Sequence, residues 1–148
     1  VHRCCLRAHA PGHLTASALV VDADRTHALL TLHPRVGKWV QLGGHCEPDD
    51  ESIEAAALRE ALEESGIEGL RLAHGPVHLH THPITCSLGV PTRHLDVRFV
   101  AVAPPTPDGV LPEVVCSDES LDLRWFPLGE VPNPELKPLV AAALDRLA

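Results

Sequence analysis

Methionine and tyrosine are absent from this 148-residue chain, and aromatic residues make up 3% of it: Trp39, Phe99, Trp125 and Phe126. A base-stacking platform therefore has few side chains to draw on, and Trp39 reads more readily as a core or loop anchor. No window approaches the ~18 apolar residues of a membrane-spanning helix, and no signal peptide is recognisable. Lys and Arg number 12 against 20 Asp and Glu, a net charge of −8, with no basic cluster or stripe. That balance argues against a nucleic-acid-binding face and against a membrane surface as partner. The cysteines Cys4, Cys5, Cys46, Cys86 and Cys116 form no CxxC pair, which removes the usual zinc frameworks and leaves reduced thiols in a cytoplasmic protein as the expectation. With no Met and Val1 in first place, the start reads as trimmed or as an unusual start codon.

What is present suffices for a core. Hydrophobic residues form 45% of the chain, and the length suits one domain over 1–148 without internal repeats. Leu14–Val21 and His27–Leu32 read as strands around the turn Asp22-Ala23-Asp24-Arg25. Lys38–Leu42 leads into a double-glycine turn, Gly43-Gly44, and a helix is expected from Asp50 or Glu51 to Gly66, with an Asp or Ser as N-cap. Leu70–Thr81 suggests a strand pair or one bent strand. His94–Val102 alternates cleanly, Leu95, Val97 and Phe99 against His94, Asp96 and Arg98. A proline-rich loop then runs through Asp118, Leu121–Phe126 forms a short strand, and Asn133–Ala148 a terminal helix with Pro134 at its first position.

The helix after the glycines carries the chemistry. Glu60, Glu63 and Glu64 fall within an arc of about 100° at helical spacing, and Arg59 stands four residues before Glu63. Glu60 and Glu64 repel at i,i+4, and acids near a helix C-terminus oppose its dipole. A cation offsets both costs, and hard carboxylate oxygens suit Mg²⁺ or Mn²⁺. Elsewhere His78, His80 and His82 share strand spacing with a second metal site, with an exposed polar face, or with a cleft lining that includes His94 and Arg98. Arg98 either grips a phosphate oxygen or pairs with Asp96; the sequence leaves both open.

The run from Gly43 through Arg59-Glu60-Ala61-Leu62-Glu63-Glu64-Ser65-Gly66-Ile67 resembles the signature of the Nudix hydrolase family. Its box reads Gly, five residues, Glu, seven residues, Arg-Glu, apolar, any, Glu-Glu, any, Gly, apolar. One departure stands out. Six residues rather than five separate Gly44 from Glu51, so the loop holds an extra residue or Asp50 takes the glutamate's place.

The resemblance implies an α/β fold, an α/β/α sandwich around a mixed sheet. It also implies Mg²⁺- or Mn²⁺-dependent hydrolysis of a nucleoside diphosphate linked to another group. It implies Glu60, Glu63, Glu64 and the Gly43 carbonyl as metal ligands, with Glu63, Glu60, Glu119 and Arg59 as catalytic residues and the general base left open among the carboxylates. Glu119 is the loop acid expected before the Trp125 strand, ahead of Asp118 and Glu113. Arg98, His80 and His94 are the substrate-binding candidates. Homodimers are frequent in the family. The rival readings are a nucleotide- or ADP-ribose-binding sensor without hydrolysis and an isopentenyl-diphosphate isomerase. All three box glutamates being present favours hydrolysis, and no isomerase cysteine motif can be placed.

Overall fold

The computed structural model describes residues 13–85 and 91–148; Cys4, Cys5 and Cys86, and the side chain of His82, lie outside the described residues. The order is β1 (His13–Val21), β2 (His27–Leu32), β3 (Trp39–Val40), β4 (Leu42–His45), α1 (Ile53–Ser65), β5 (Arg71–Leu72), β6 (His78–Thr85), β7 (Pro91–Val102), β8 (Asp122–Pro127) and α2 (Lys137–Leu147). The strands form one mixed sheet. β1 and β7 pair in parallel from His13↔His94 to Val21↔Val102, and the other pairings are antiparallel.

Period-two alternation divides each central strand between two cores. Ala16, Ala18 and Val20 of β1, with Phe99 and Ala101 of β7, pack against Ala56, Ala57 and Ala61 of α1. Leu19, Val21 and Val100 point the other way, onto Leu139 and Ala143 of α2. The sheet is thus covered on both faces, an α/β/α sandwich as expected. Alanine on both sides of the first interface brings α1 close to the strands, a proximity on which the site depends. Among the described residues no helix is long and apolar enough to cross a membrane.

Helix α1 is delimited by its ends. The Ser52 hydroxyl accepts from the Ala55 amide at 3.0 Å, and Gly66, at φ 69°, donates its amide to Leu62 O. Asp50 is not the cap; its carboxylate is engaged elsewhere.

Two expectations need correction. Gly43 and Gly44 make no turn: they lie in β4, opposite Ser17 and Ala16 of β1. The reason for glycine is space rather than conformation, since a Cβ on Gly43 would stand 2.4 Å from Ser17 Cβ and one on Gly44 2.8 Å from Glu60 Oε1. The terminal helix is also shorter than expected. Pro134–Leu136 forms a separate 3₁₀ turn and α2 begins at Lys137, because Pro138 lacks the amide that would continue an α-helix back to Pro134. Asn133 caps the turn through its Oδ1 and donates Nδ2 to Trp39 O at 3.0 Å.

Gly43→Ala is expected to destabilise the protein by about 1–3 kcal/mol, since β4 must part from β1 to admit the methyl group. Urea denaturation of the variant beside wild type measures the change, and an unchanged midpoint would refute the close-approach account.

Candidate active site

Arg59 organises the loop between β4 and α1. Its Nε donates to Asp50 Oδ1 at 2.9 Å and Nη2 to Asp50 Oδ2 at 3.0 Å, a bidentate pair. Nη2 also reaches His45 O, while Nη1 reaches Glu60 Oε1 and Glu63 Oε2, each at 3.2 Å. The Asp50 carboxylate accepts the Glu47 amide at 2.7 Å as well. These bonds hold it below the usual carboxylate range, with the Arg59 hydrogen bond the largest cause. The question raised by the extra residue is answered here: Asp50 is buried and paired with Arg59, while Glu51 is exposed.

The three glutamates of α1 divide. Glu60 and Glu64 turn toward the sheet, Glu60 partly buried and Glu64 buried, and each acts on the other's protonation. Glu63 keeps 60% of its side-chain exposure and bonds Arg59. Burial raises Glu60 above its ordinary value, against the pull of Arg59. Glu64 is pushed up to about 8, first by burial, then by the charge of Glu60 and their shared hydrogen bond, and further by Glu119; a backbone hydrogen bond at Gly43 opposes the shift. Glu64 therefore faces β4 at Gly43.

The partly buried Glu60 and the buried Glu64 are carboxyls of the kind that a divalent cation takes. Their oxygens are hard donors, and the missing side chain at Gly44 is what leaves room for the Glu60 carboxylate against β4. Among the described residues no three Asp, Glu, His or Cys side chains form a ready-made metal cage; Glu60 and Glu64 converge as a pair.

On the opposite face of the sheet lies a network that the sequence did not reveal. Asp96 accepts from Thr15 Oγ1 (3.1 Å), Ser17 Oγ (2.9 Å), Gln41 Nε2 (3.0 Å) and Arg98 Nε (2.9 Å). Of the two readings of Arg98, pairing with Asp96 is the one found. His94 is buried and meets His45 edge-to-face at 5.1 Å, whereas His80 is exposed. Thr15, Ser17 and Gln41 escaped notice because short polar residues in a strand carry no signal until their partners are known. Trp39 packs on Phe126 at 4.9 Å, as an anchor.

Two measurements follow from these contacts. Because the fold favours the acid form of Glu64, its contribution to stability is complete below pH 4.5, the ordinary value, and is lost as pH rises through about 8. Melting temperatures of the metal-free protein should fall across that window, and those of Glu64→Gln should fall less; parallel profiles would refute the assignment. Asp50→Asn should cost about 2–4 kcal/mol by removing the buried charge that Arg59 grips with two nitrogens, while Glu51→Gln should stay within about 0.5 kcal/mol of wild type. Chemical denaturation compares the two directly.

The sequence profile of the NUDIX domain matches residues 11–147. Among solved structures, a NUDIX-family hydrolase from Clostridium perfringens is 26% identical with a TM-score of 0.63, over 92% of this chain and 98% of that one. A bifunctional NMN adenylyltransferase/ADP ribose pyrophosphatase from Francisella tularensis, complexed with AMP and a Mn ion, is 28% identical with a TM-score of 0.55, over 90% of this chain and 38% of that one. The C. elegans Ap4A hydrolase is 22% identical with a TM-score of 0.60, over 87% of this chain and 93% of that one, a likeness of fold. No curated protein sequence matches. The profile runs over nearly the whole of the chain and agrees with both the box and the sandwich, so the chain belongs to the Nudix family of hydrolases, which act on phosphoric anhydrides.

Proposed function

We propose that residues 1–148 form one Nudix hydrolase domain that cleaves the diphosphate linkage of a nucleoside diphosphate joined to another group, with Mg²⁺ or Mn²⁺ as cofactor. The observation that carries this reading is the pair of Glu60, partly buried, and Glu64, buried, set against β4 at Gly43 and Gly44. Glu60, Glu64 and the Gly43 carbonyl would hold the metal, with Glu63 as a further ligand. When bound, the cation neutralises the diphosphate and makes an attacking water more acidic.

The protein's own groups do the rest. Water attacks phosphorus in line, the bridging P–O bond breaks with its electrons going to the leaving phosphate, and the products are two phosphorylated fragments. The water's proton passes to a carboxylate outside the ligand set. Glu119 is exposed and its charge adds to the upward shift of Glu64, which supports it for that task. Arg59 is a positioning residue, since its donors are held by Asp50, His45 O, Glu60 and Glu63. Arg98, His80 and His94 serve the substrate from the other side of the sheet. The net charge of −8 supports a small-molecule substrate over nucleic acid, and cysteines without a CxxC pair support a cytoplasmic setting.

A panel of nucleoside triphosphates, oxidised purine nucleotides, ADP-ribose, nucleotide sugars and dinucleoside polyphosphates, with Mg²⁺ or Mn²⁺, tests the proposal. Wild type should turn over at least one member in a metal-dependent way. Glu64→Gln should lose about 10²–10³-fold in kcat. Tight nucleotide binding with no turnover on any member would replace the hydrolase with a sensor.

A further inference from the structure

Charged residues are spread along the chain with one long gap. From Leu72 to Thr92 there is no Asp, Glu, Lys or Arg, although these make up 22% of the residues. The gap coincides with β6 and its flanks. β6 pairs with β7 from His78↔Arg98 to Thr85↔Pro91, on the side away from β1, and among the described residues with no other strand. It is therefore an edge of the sheet.

An edge strand is usually kept from pairing with further chains by charged side chains, above all lysine, by a covering element or by proline. β6 has Pro83 near its end and no charged residue; its ionisable side chains are His78, His80 and His82. Leu79 is 59% exposed and Leu95, beside it on β7, is 37% exposed. By register with Val97, which packs in the α1 core, both stand on the α1 side of the sheet, past the cover of that helix. The strand is also held ready. Arg146 of α2 donates to the carbonyls of His74, Gly75 and Pro76, which pins the chain where it enters β6.

We propose that the β6 edge docks a second copy of this chain, the two β6 strands pairing antiparallel about a two-fold axis so that one sheet continues into the other. Charge and alternation point to a like partner. Two copies of net charge −8 repel over most of their surfaces, and β6 is where they meet without an acid. In any such register, positions of the same parity stand opposite each other. Histidine positions then face histidine positions, and Leu79 faces Leu79 or Thr81. Neither contact asks for a partner of opposite charge, and a two-fold contact of this kind closes on itself. The pairing uses the main chain.

Protonation would work against it. Facing the histidines from β7 are His94, Asp96 and Arg98, and α2, packed against β6, carries Lys137, Asp145 and Arg146. Asp96, opposite His80 by register, already accepts Thr15, Ser17, Gln41 and Arg98, the full capacity of a carboxylate. Protons added to both strands therefore repel without an acid beside them to accept the charge. Burial and Arg98 already hold His78 below its ordinary value. The paired form binds fewer protons than two separate copies, so association is strongest with neutral rings and weakens as pH falls through the ordinary histidine value of about 6.5.

Sedimentation velocity over a concentration series tests the proposal, without reference to turnover and so apart from the hydrolase reading. At pH 8 wild type should pass from the mass of one chain to that of two as concentration rises. At pH 5.5 the association should be at least tenfold weaker. Leu79→Lys should keep the mass of one chain throughout, with the melting temperature of wild type; Thr81→Lys, also at an exposed position, takes its place if that variant fails to fold. Val36→Lys, on an exposed valine of the β2–β3 connection, should associate like wild type. A wild type that stays single at every concentration overturns the proposal, and so does association that lysine on β6 leaves unchanged. Equal association at both pH values overturns the part given to the histidines.

Discussion

Everything at the candidate site hangs on one guanidinium. Arg59 sits in the middle of α1, yet its longest reach is backward, to a loop that carries one residue more than the family box allows. By gripping both oxygens of Asp50 and the carbonyl of His45, it fixes the end of β4 and the start of the helix in one rigid frame. The same side chain touches Glu60 and Glu63 and so sets two of the three carboxylates. Removing it would leave Asp50 buried without its charged partner and the box without its geometry.

The sheet divides the labour. Toward α1 its strands carry alanines and two glycines, so that a helix bearing buried acids can lie almost on the backbone. Away from α1 the same strands carry leucine and valine at one end and a saturated polar network at the other. The carboxylates of α1 and the polar network therefore occupy opposite sides of one layer, joined through β4, where Gly44 faces Glu60 and Gly43 faces Ser17.

Local spacing made part of this readable. The box, the cap at Gly66 and the strands β1, β2, β7 and β8 each depend on residues within a few positions of one another, and each stands close to where the sequence put it. What could not be read depends on partners far away. Gly43-Gly44 looks like a turn until Ser17 and Glu60 are set beside it. Asp50 looks like a helix cap until Arg59 turns back to claim it, leaving Ser52 the role. Thr15 meets Asp96 across 81 positions and Gln41 meets it across 55; no periodicity within either strand announces such a meeting. The division of the glutamates is subtler, because an arc of about 100° on a helix is wide enough to put its two edges in different solvents.

The parallel pairing of β1 with β7 has a consequence for how the chain reaches this state. Nine register pairs join residues 13–21 to residues 94–102, so the central seam closes a loop of about 80 residues before it earns any contact. Such closure is slow compared with a hairpin. During synthesis β1 must wait with its inner edge unpaired, until β7 has left the ribosome. The polar residues Thr15 and Ser17 on that waiting strand interrupt what would otherwise be a continuous aggregation-prone stretch.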